Sequence, residues 1–153
     1  MAIEILQLKF IIESVESSNF RNIVDFETKI SALKWSKKEI LGHLIDSALH
    51  NWKRIAEISF SEKPYKLIDY NQDELVKSNA YQHKNTQELI DLWLQINKQI
   101  LFLLEKQEPK ILTFEIILPN GHINNLQFLI SDYITHLMHH LDQIIGNDFE
   151  YSK

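Results

Sequence analysis

The sequence contains no cysteine, and this absence removes several kinds of chemistry. Disulfide bonds, thiolate metal ligands and cysteine nucleophiles are all excluded. Glycine and proline are also scarce, with three of each among 153 residues. A β-sandwich or an α/β fold of this size needs more turns than so few of these residues readily supply. The composition therefore favours a helical protein, and a chain without cysteine suits a cytoplasmic location.

A basic excess is missing too, because the formal net charge is −5. Proteins that bind nucleic acids generally carry excess positive charge, so we expect no nucleic-acid partner. No apolar run reaches the roughly 18 residues that span a membrane, and the N-terminus lacks the features of a signal peptide. With 44% hydrophobic and 24% charged residues, the composition is that of a globular protein, and we expect one domain over residues 1–153.

Four segments show apolar side chains at the three- and four-residue steps of an amphipathic helix. The second has the clearest start, because Ser36 and Glu39 form an S-x-x-E capping box. A long connection at 59–85 follows it, containing a possible short helix in "NQDELVKS". Such a connection is usually functional or crosses from one end of a bundle to the other. We predict an all-α protein with at most one short hairpin near 112–123. The helices are predicted at roughly 2–18, from the Ser36 cap to 58, from 85 or 86 to 106, and from after 124 or 125 to Gly146.

Two histidines interrupt the apolar stripe of the last predicted helix. His136 and His140 are four residues apart, so they project from one face about one turn from each other. A buried imidazole must be hydrogen-bonded or ligated, or it destabilises the fold. The pair therefore either shares a divalent ion or consists of histidines bonded to protein groups or solvent. His139 lies at the edge of this stripe or in solvent.

A third histidine stands where an aliphatic residue would be expected in the second predicted helix. His43 follows Gly42, whose missing side chain permits the close approach of another element. Asp46 lies one turn further on and is a candidate for orienting a histidine ligand. The alternative is that His43 only hydrogen-bonds a neighbouring hydroxyl group.

The remaining histidines are weaker candidates. His50 competes with His43 for a place in the site, but it lies two turns further along the helix in a more polar context. His83 and His122 fall in connections, where we expect surface positions.

The strings "KWSKKEILGHLIDSALHNWKRI" and "HLMHHLDQI" together resemble the DinB-like superfamily, of the DinB/YfiT kind. The family pattern is a Trp-Ser helix start, a Gly-His-Leu soon after it, and a late histidine cluster that ends in Gln-Ile. The resemblance covers roughly residues 30–146. The matching positions are Trp35, Ser36, Gly42, His43, Leu44, His136, His139, His140, Gln143 and Ile144.

This resemblance implies a four-helix bundle with a long crossover connection, commonly found as a homodimer. It also implies one metal ion held by His43, His136 and His140. All-histidine ligation suits Zn²⁺, Ni²⁺ or Fe²⁺. Lowering the pH through about 6 is expected to release the ion, because protons compete for imidazoles whose reference pKa is near 6.5.

Some members of the family are known or proposed as metal-dependent thiol S-transferases and as hydrolases, and many have no known reaction. The resemblance therefore implies a small-molecule substrate, with a thiol as one candidate. Three imidazoles leave coordination positions open, which is typical of a catalytic site. No catalytic residue is assigned, but Asp46 and Tyr133 are possible helpers, as are Asp69 and Tyr70. The alternative is a non-catalytic dimeric helical bundle in which the metal is structural or absent.

Overall fold

The computed structural model describes residues 1–146, and four long helices dominate it. Helices α1, α3, α5 and α6 form the bundle, with α3 and α1 each packed against both α5 and α6. The predicted all-α bundle with four main helices is therefore confirmed. The single domain predicted for residues 1–153 extends beyond the described residues and stays a prediction. The helices are α1 (Ala2–Glu16), α2 (Ser18–Arg21), α3 (Lys37–Glu57), α4 (Gln72–Asn79), α5 (Thr86–Lys106) and α6 (Leu126–Ile145).

The core lies between the apolar faces of these helices. Its members are fully buried aliphatic and aromatic side chains from all four long helices, as the sequence periodicity predicts. One boundary differs from the prediction, because the first helix divides at Ser17. This residue has extended backbone (φ −61°, ψ 150°), so α1 ends at Glu16 and the short α2 follows. Representative core residues are Leu8, Leu44, Trp93 and Leu137.

The start of α3 is set by the predicted capping box. The Ser36 hydroxyl accepts a hydrogen bond from the Glu39 amide at 3.1 Å, and the Glu39 carboxylate accepts one from the Ser36 amide at 2.8 Å. Two amides at the helix start are thereby satisfied. The box fixes where α3 begins. His43 follows the Ser36 cap by seven residues, about two helical turns, and lies on the buried face of α3.

A small sheet accompanies the bundle. Strands β2 (Glu115–Ile117) and β3 (Ile123–Asn125) form the predicted hairpin, which closes through Gly121 at φ 85°. The structure adds a strand that was not predicted, β1 (Tyr65–Lys66), which pairs in parallel with β2. Two residues are too few to show an alternating pattern, so this strand left no signal in the sequence.

The long connection between α3 and α5 is ordered and crosses the outside of the bundle. It carries β1, then α4, then a short 3-10 turn at Tyr81–His83, and both α4 and this turn pack against α3. The short helix predicted in "NQDELVKS" is confirmed as α4, which Asn71 caps. No helix among the described residues is long and apolar enough to cross a membrane.

Candidate metal centre

Helices α3 and α6 bring three histidines together. The ring centroids of His43, His136 and His140 lie 4.6–4.9 Å from one another, with the rings edge to face. One nitrogen from each ring can be chosen so that all three lie within 4.8 Å of one another. The Nε2 atoms of His43 and His136 are 2.9 Å apart, which is a hydrogen-bond distance. The three predicted ligands therefore converge on one place.

Burial keeps these imidazoles neutral. His43 is only 1% exposed, whereas His136 and His140 are partly exposed. Burial, with the neighbouring histidines adding to it, lowers the pKa of His43 to about 3. Burial, with His140 and His139 adding to it, lowers the pKa of His136 to about 4. Burial also lowers the pKa of His140. At neutral pH all three rings therefore keep a nitrogen lone pair, which a metal ion requires.

The three donors fit one divalent ion. Nitrogen atoms at about 2.0–2.1 Å from a tetrahedral ion lie roughly 3.4 Å apart, so the 2.9 Å Nε2 pair would need to open slightly, and the three nitrogens, which lie within 4.8 Å of one another, would need to draw closer around the ion. His43 Nδ1 is buried without a hydrogen-bond partner, and the ring faces the cluster through Nε2, which lies next to His136 Nε2. Among the described residues, His43, His136 and His140 are the one group of histidines and carboxylates close enough to hold an ion.

Polar side chains on the same two helices hold the partly exposed rings. Ser47 Oγ lies 3.4 Å from His136 Nδ1, and Gln143 Oε1 lies 2.9 Å from His140 Nδ1. Both can accept an Nδ1 proton, which leaves Nε2 of each ring for a metal ion. These two contacts were not predicted. The spacing could have indicated the second, because Gln143 is three residues after His140 on the same helix, whereas Ser47 reaches His136 across the packing of α3 against α6.

The predicted helper residues have other contacts. The Asp46 carboxylate does not orient a histidine, because its Oδ1 accepts hydrogen bonds from the Tyr81 hydroxyl at 2.6 Å and from Asn79 Nδ2 at 2.9 Å. Burial raises the pKa of Asp46. The Tyr133 hydroxyl is buried and donates to Asn97 Oδ1 at 2.6 Å. Tyr81 and Asn79, the partners of Asp46, come from the crossover connection, and Asn97, the partner of Tyr133, comes from α5.

The other histidines lie outside the cluster. His50 Nδ1 donates to the Asp46 carbonyl at 2.7 Å, and its ring stacks on Tyr70 with centroids 4.0 Å apart. His139 is exposed beside His140, with ring centroids 5.0 Å apart. His83 and His122 are exposed, as predicted.

Tyr70 is nearer to the site than the sequence could show. Burial raises the pKa of its hydroxyl, and a hydrogen bond with Ser47 opposes that shift. Since Ser47 also approaches His136, Tyr70 is one residue away from the triad. Asp69 is not in contact with the histidines; its Oδ1 accepts from the Tyr70 amide at 2.9 Å.

Two pockets lie on this side of the bundle, and a triad histidine lines one of them. One, of about 630 Å³, has an apolar wall and includes His140 and Gln143 in its lining. The other, of about 520 Å³, lies on the side of the small sheet and is lined by charged and aromatic groups. Gln72, at the start of α4, lines both. The apolar wall of the first pocket is formed by Ile30, Leu33, Trp35 and Ile40.

Two solved structures share this architecture. YfiT from Bacillus subtilis, described as a probable metal-dependent hydrolase with an unusual four-helix bundle topology, matches with a TM-score of 0.81 over 94% of this chain and 82% of its own. The chain has the DinB-like fold. A mycothiol-dependent maleylpyruvate isomerase also matches, with a TM-score of 0.71 over 94% of this chain and 65% of that one. The resemblance predicted from the histidine strings is thus confirmed for the fold.

Sequence similarity adds little to this structural match. The identities to YfiT and to the isomerase are 16% and 11%, so the likeness establishes the DinB-like fold alone. This chain spans about two thirds of the isomerase's length. No family model and no curated protein matches the sequence. The function must therefore be argued from the site.

Proposed function

We propose that this DinB-like protein is a metal-dependent enzyme acting on a small molecule, with one divalent ion held by His43, His136 and His140. The observation that carries the proposal is the convergence of three neutral imidazoles beside a pocket that His140 lines. The descriptions of YfiT as a probable metal-dependent hydrolase and of the isomerase as mycothiol-dependent support the same class. The reaction we propose is thiol S-transfer or hydrolysis.

A divalent ion on three imidazoles supplies Lewis acidity at its remaining coordination positions, which makes water or a thiol more acidic there. The protein positions the ligands for this chemistry. Ser47 and Gln143 each can accept an Nδ1 proton from His136 and His140, which presents the Nε2 atoms inward. The Trp35 ring lies 5.1 Å from the His43 ring, so it shields the most buried ligand from water.

The nature of the donors limits the choice of metal. An all-imidazole set suits Zn²⁺, Ni²⁺ or Fe²⁺, whereas Mg²⁺ and Ca²⁺ prefer oxygen ligands. We propose one of the first three as the resident ion. A fully protein-ligated structural site normally has four donors, and three favour a catalytic role.

The metal proposal is tested by elemental analysis of protein purified without a histidine tag. We expect about one Zn, Ni or Fe per chain in the wild type. His43→Ala and His140→Ala should each lower metal affinity strongly, because two remaining ligands hold an ion poorly. His139→Ala and His50→Ala are the matched controls and should retain the ion. Loss of the ion in His139→Ala but not in His136→Ala would mean that the wrong face of α6 has been assigned.

The reaction is tested with the metal-loaded protein. One assay combines low-molecular-weight thiols with electrophiles, and the other offers esters and amides for hydrolysis. Turnover should require the ion and should be lost in His140→Ala. Full metal occupancy without turnover in either assay would favour the alternative, a non-catalytic bundle with a structural metal.

A further inference from the structure

Arg54 is a partly buried cation that interacts electrostatically with Asp69 but forms no ion pair with it. Its Nη2 donates to the Ile68 carbonyl at 2.8 Å, and the guanidinium lies 6.0 Å from the centroid of the Tyr70 ring. Within residues 1–146 no carboxylate forms an ion pair with it, although a guanidinium carries five donors. A partly desolvated charge of this kind is costly, and arginine binds carboxylates through two parallel hydrogen bonds. The free donors therefore suit a carboxylate from outside the chain.

The same pocket also contains two acids. Asp69 and Asp132 line it together with Arg54, Tyr70 and Phe128. A simple anion would be repelled by the two aspartates, and a simple cation by Arg54. A group that carries both charges satisfies the pocket. Because the Asp69 carboxylate already accepts from the Tyr70 amide, Asp132 is the better partner for a positive charge.

The position of Asp132 sets the length of such a ligand. On α6 it precedes His136 by one turn and His140 by two, which is about 6 and 12 Å along the helix axis. A single amino-acid unit spans about 3.5 Å and is shorter than the distance to the turn of His136, whereas two or three peptide-like units span about 7–10 Å and reach past it. The pocket volume of about 520 Å³ agrees with this size.

The pocket and the triad are built on the same two helices, α3 and α6. Tyr70 lines the pocket, and its hydroxyl is close enough to Ser47 for Ser47 to oppose the rise in its pKa that burial causes; Ser47 Oγ in turn lies 3.4 Å from His136 Nδ1. The stacking of Tyr70 on His50, with centroids 4.0 Å apart, holds the tyrosine ring in place. A ligand anchored at Arg54 can therefore extend along α6 toward the histidines.

We propose that this pocket binds the α-amino-acid end of a small, extended molecule, with its carboxylate on Arg54 and its ammonium group on Asp132. That this molecule is the substrate rests on the proposed metal-dependent function. The binding itself does not, since neither anchor is a proposed metal ligand.

The probe for this proposal is S-methylglutathione, which carries an α-amino-acid group and a blocked sulfur. It is titrated into metal-free protein and followed by calorimetry and by amide NMR shifts. We expect saturable binding, weakened about tenfold in Arg54→Gln and in Asp132→Asn, because each removes one charge-assisted contact. Lys53→Gln on α3 and Asp142→Asn on α6 are exposed matched controls and should bind within about twofold of the wild type.

Several outcomes would overturn the proposal. No saturable binding at tens of millimolar would do so, and so would equal affinity for the N-acetylated probe, which lacks the ammonium group. Unchanged binding in Asp132→Asn would count equally against it. Because Asp132 is exposed, this variant should fold as the wild type does. His43→Ala separates the two proposals, because it should lose the metal ion while binding the probe as the wild type does.

Discussion

His43 is almost fully buried, and its burial determines how the metal-free protein responds to acid. An unfolded histidine has a pKa near 6.5, whereas the folded pKa is about 3 for His43 and about 4 for His136. Below pH 6.5 the unfolded chain therefore binds protons that the folded protein does not. The stabilising effect of these neutral rings is complete above pH 6.5 and is lost as the pH falls toward 4 and 3.

We predict that the free energy of unfolding of metal-free protein falls between pH 7 and pH 5, by up to about 1.4 kcal/mol per pH unit for each buried histidine. Urea unfolding at several pH values measures this slope. His43→Asn should flatten it, whereas His83→Gln, at an exposed position, should not. Equal slopes in the wild type and His43→Asn would contradict the prediction. The same burial moves the expected release of a bound ion below the pH of about 6 that the reference pKa suggests.

Gly42 on α3 packs directly against the ring of Tyr81. A Cβ atom at this position would lie 2.1 Å from Cδ2 and 2.2 Å from Cγ of Tyr81, so no side chain fits without moving the ring. Tyr81 in turn holds Asp46 through its hydroxyl. The sequence predicted that Gly42 allows another element to approach, and that element is the turn that contains Tyr81.

We predict that Gly42→Ala destabilises the protein by about 1–3 kcal/mol because it overpacks this contact. Denaturant unfolding of Gly42→Ala, Tyr81→Ala and the double variant forms a double-mutant cycle. The glycine substitution should cost much less when the Tyr81 ring is absent. Strictly additive effects would show that the ring is not what Gly42 accommodates.

The start of α3 depends on two reciprocal hydrogen bonds, and the Ser36 hydroxyl also donates to Gln82 Oε1 at 2.5 Å. The cap therefore ties the bundle helix to the crossover connection. His43 lies two turns after this cap, so the metal site depends on the same helix start.

We predict that Ser36→Ala lowers the free energy of unfolding by about 1 kcal/mol, the typical effect of losing an N-cap side chain. Thermal or urea unfolding measures it. Glu39→Gln keeps an acceptor oxygen for the Ser36 amide and should cost less. A Ser36→Ala protein as stable as the wild type would show that the cap contributes little.

Elements whose signals are local could be predicted from the sequence. The start of α3 and the inward face of α6 follow from a capping box and a helical period, and these two elements carry the three histidines. Strand β1 could not be predicted, because its partner β2 lies about fifty residues further along the chain. The same holds for Asp46, whose contact with Tyr81 depends on the path of the crossover connection.

The core of the molecule is built from aliphatic and aromatic side chains of all four long helices. The histidine cluster lies at its margin, where two of the three rings are partly exposed. A chain of this length buries enough apolar surface to fold without a metal ion. Metal binding should therefore add to a fold that already exists.

We predict that chelator-treated protein keeps its dominant helical circular dichroism signal. Adding Zn²⁺ or Ni²⁺ should raise the melting temperature progressively with ion concentration, because the ion binds the folded state preferentially. His140→Ala should show a much smaller increase. Loss of the helical signal on chelation would mean that the ion is structural.

The assembly of the molecule is a further prediction, which rests on the family resemblance. We expect a homodimer formed by helix packing, so light scattering at micromolar concentration should give the mass of two chains. Exposed apolar side chains are available for such contacts; Val24, Ile30 and Leu33 are 98%, 85% and 97% exposed. A mass of one chain would contradict the prediction.

The 2.9 Å contact between the Nε2 atoms of His43 and His136 also selects tautomers. Only one of the two rings can place its proton between them, and that ring must transfer this proton to Nδ1 before both Nε2 atoms can hold an ion. On His136 the Nδ1 atom faces the Ser47 hydroxyl, whereas on His43 it has no partner. Both rings are already neutral at pH 7, so loading rearranges protons within the site without releasing any from these two rings to solvent. The heat of metal binding should then contain almost no buffer-ionisation contribution from them.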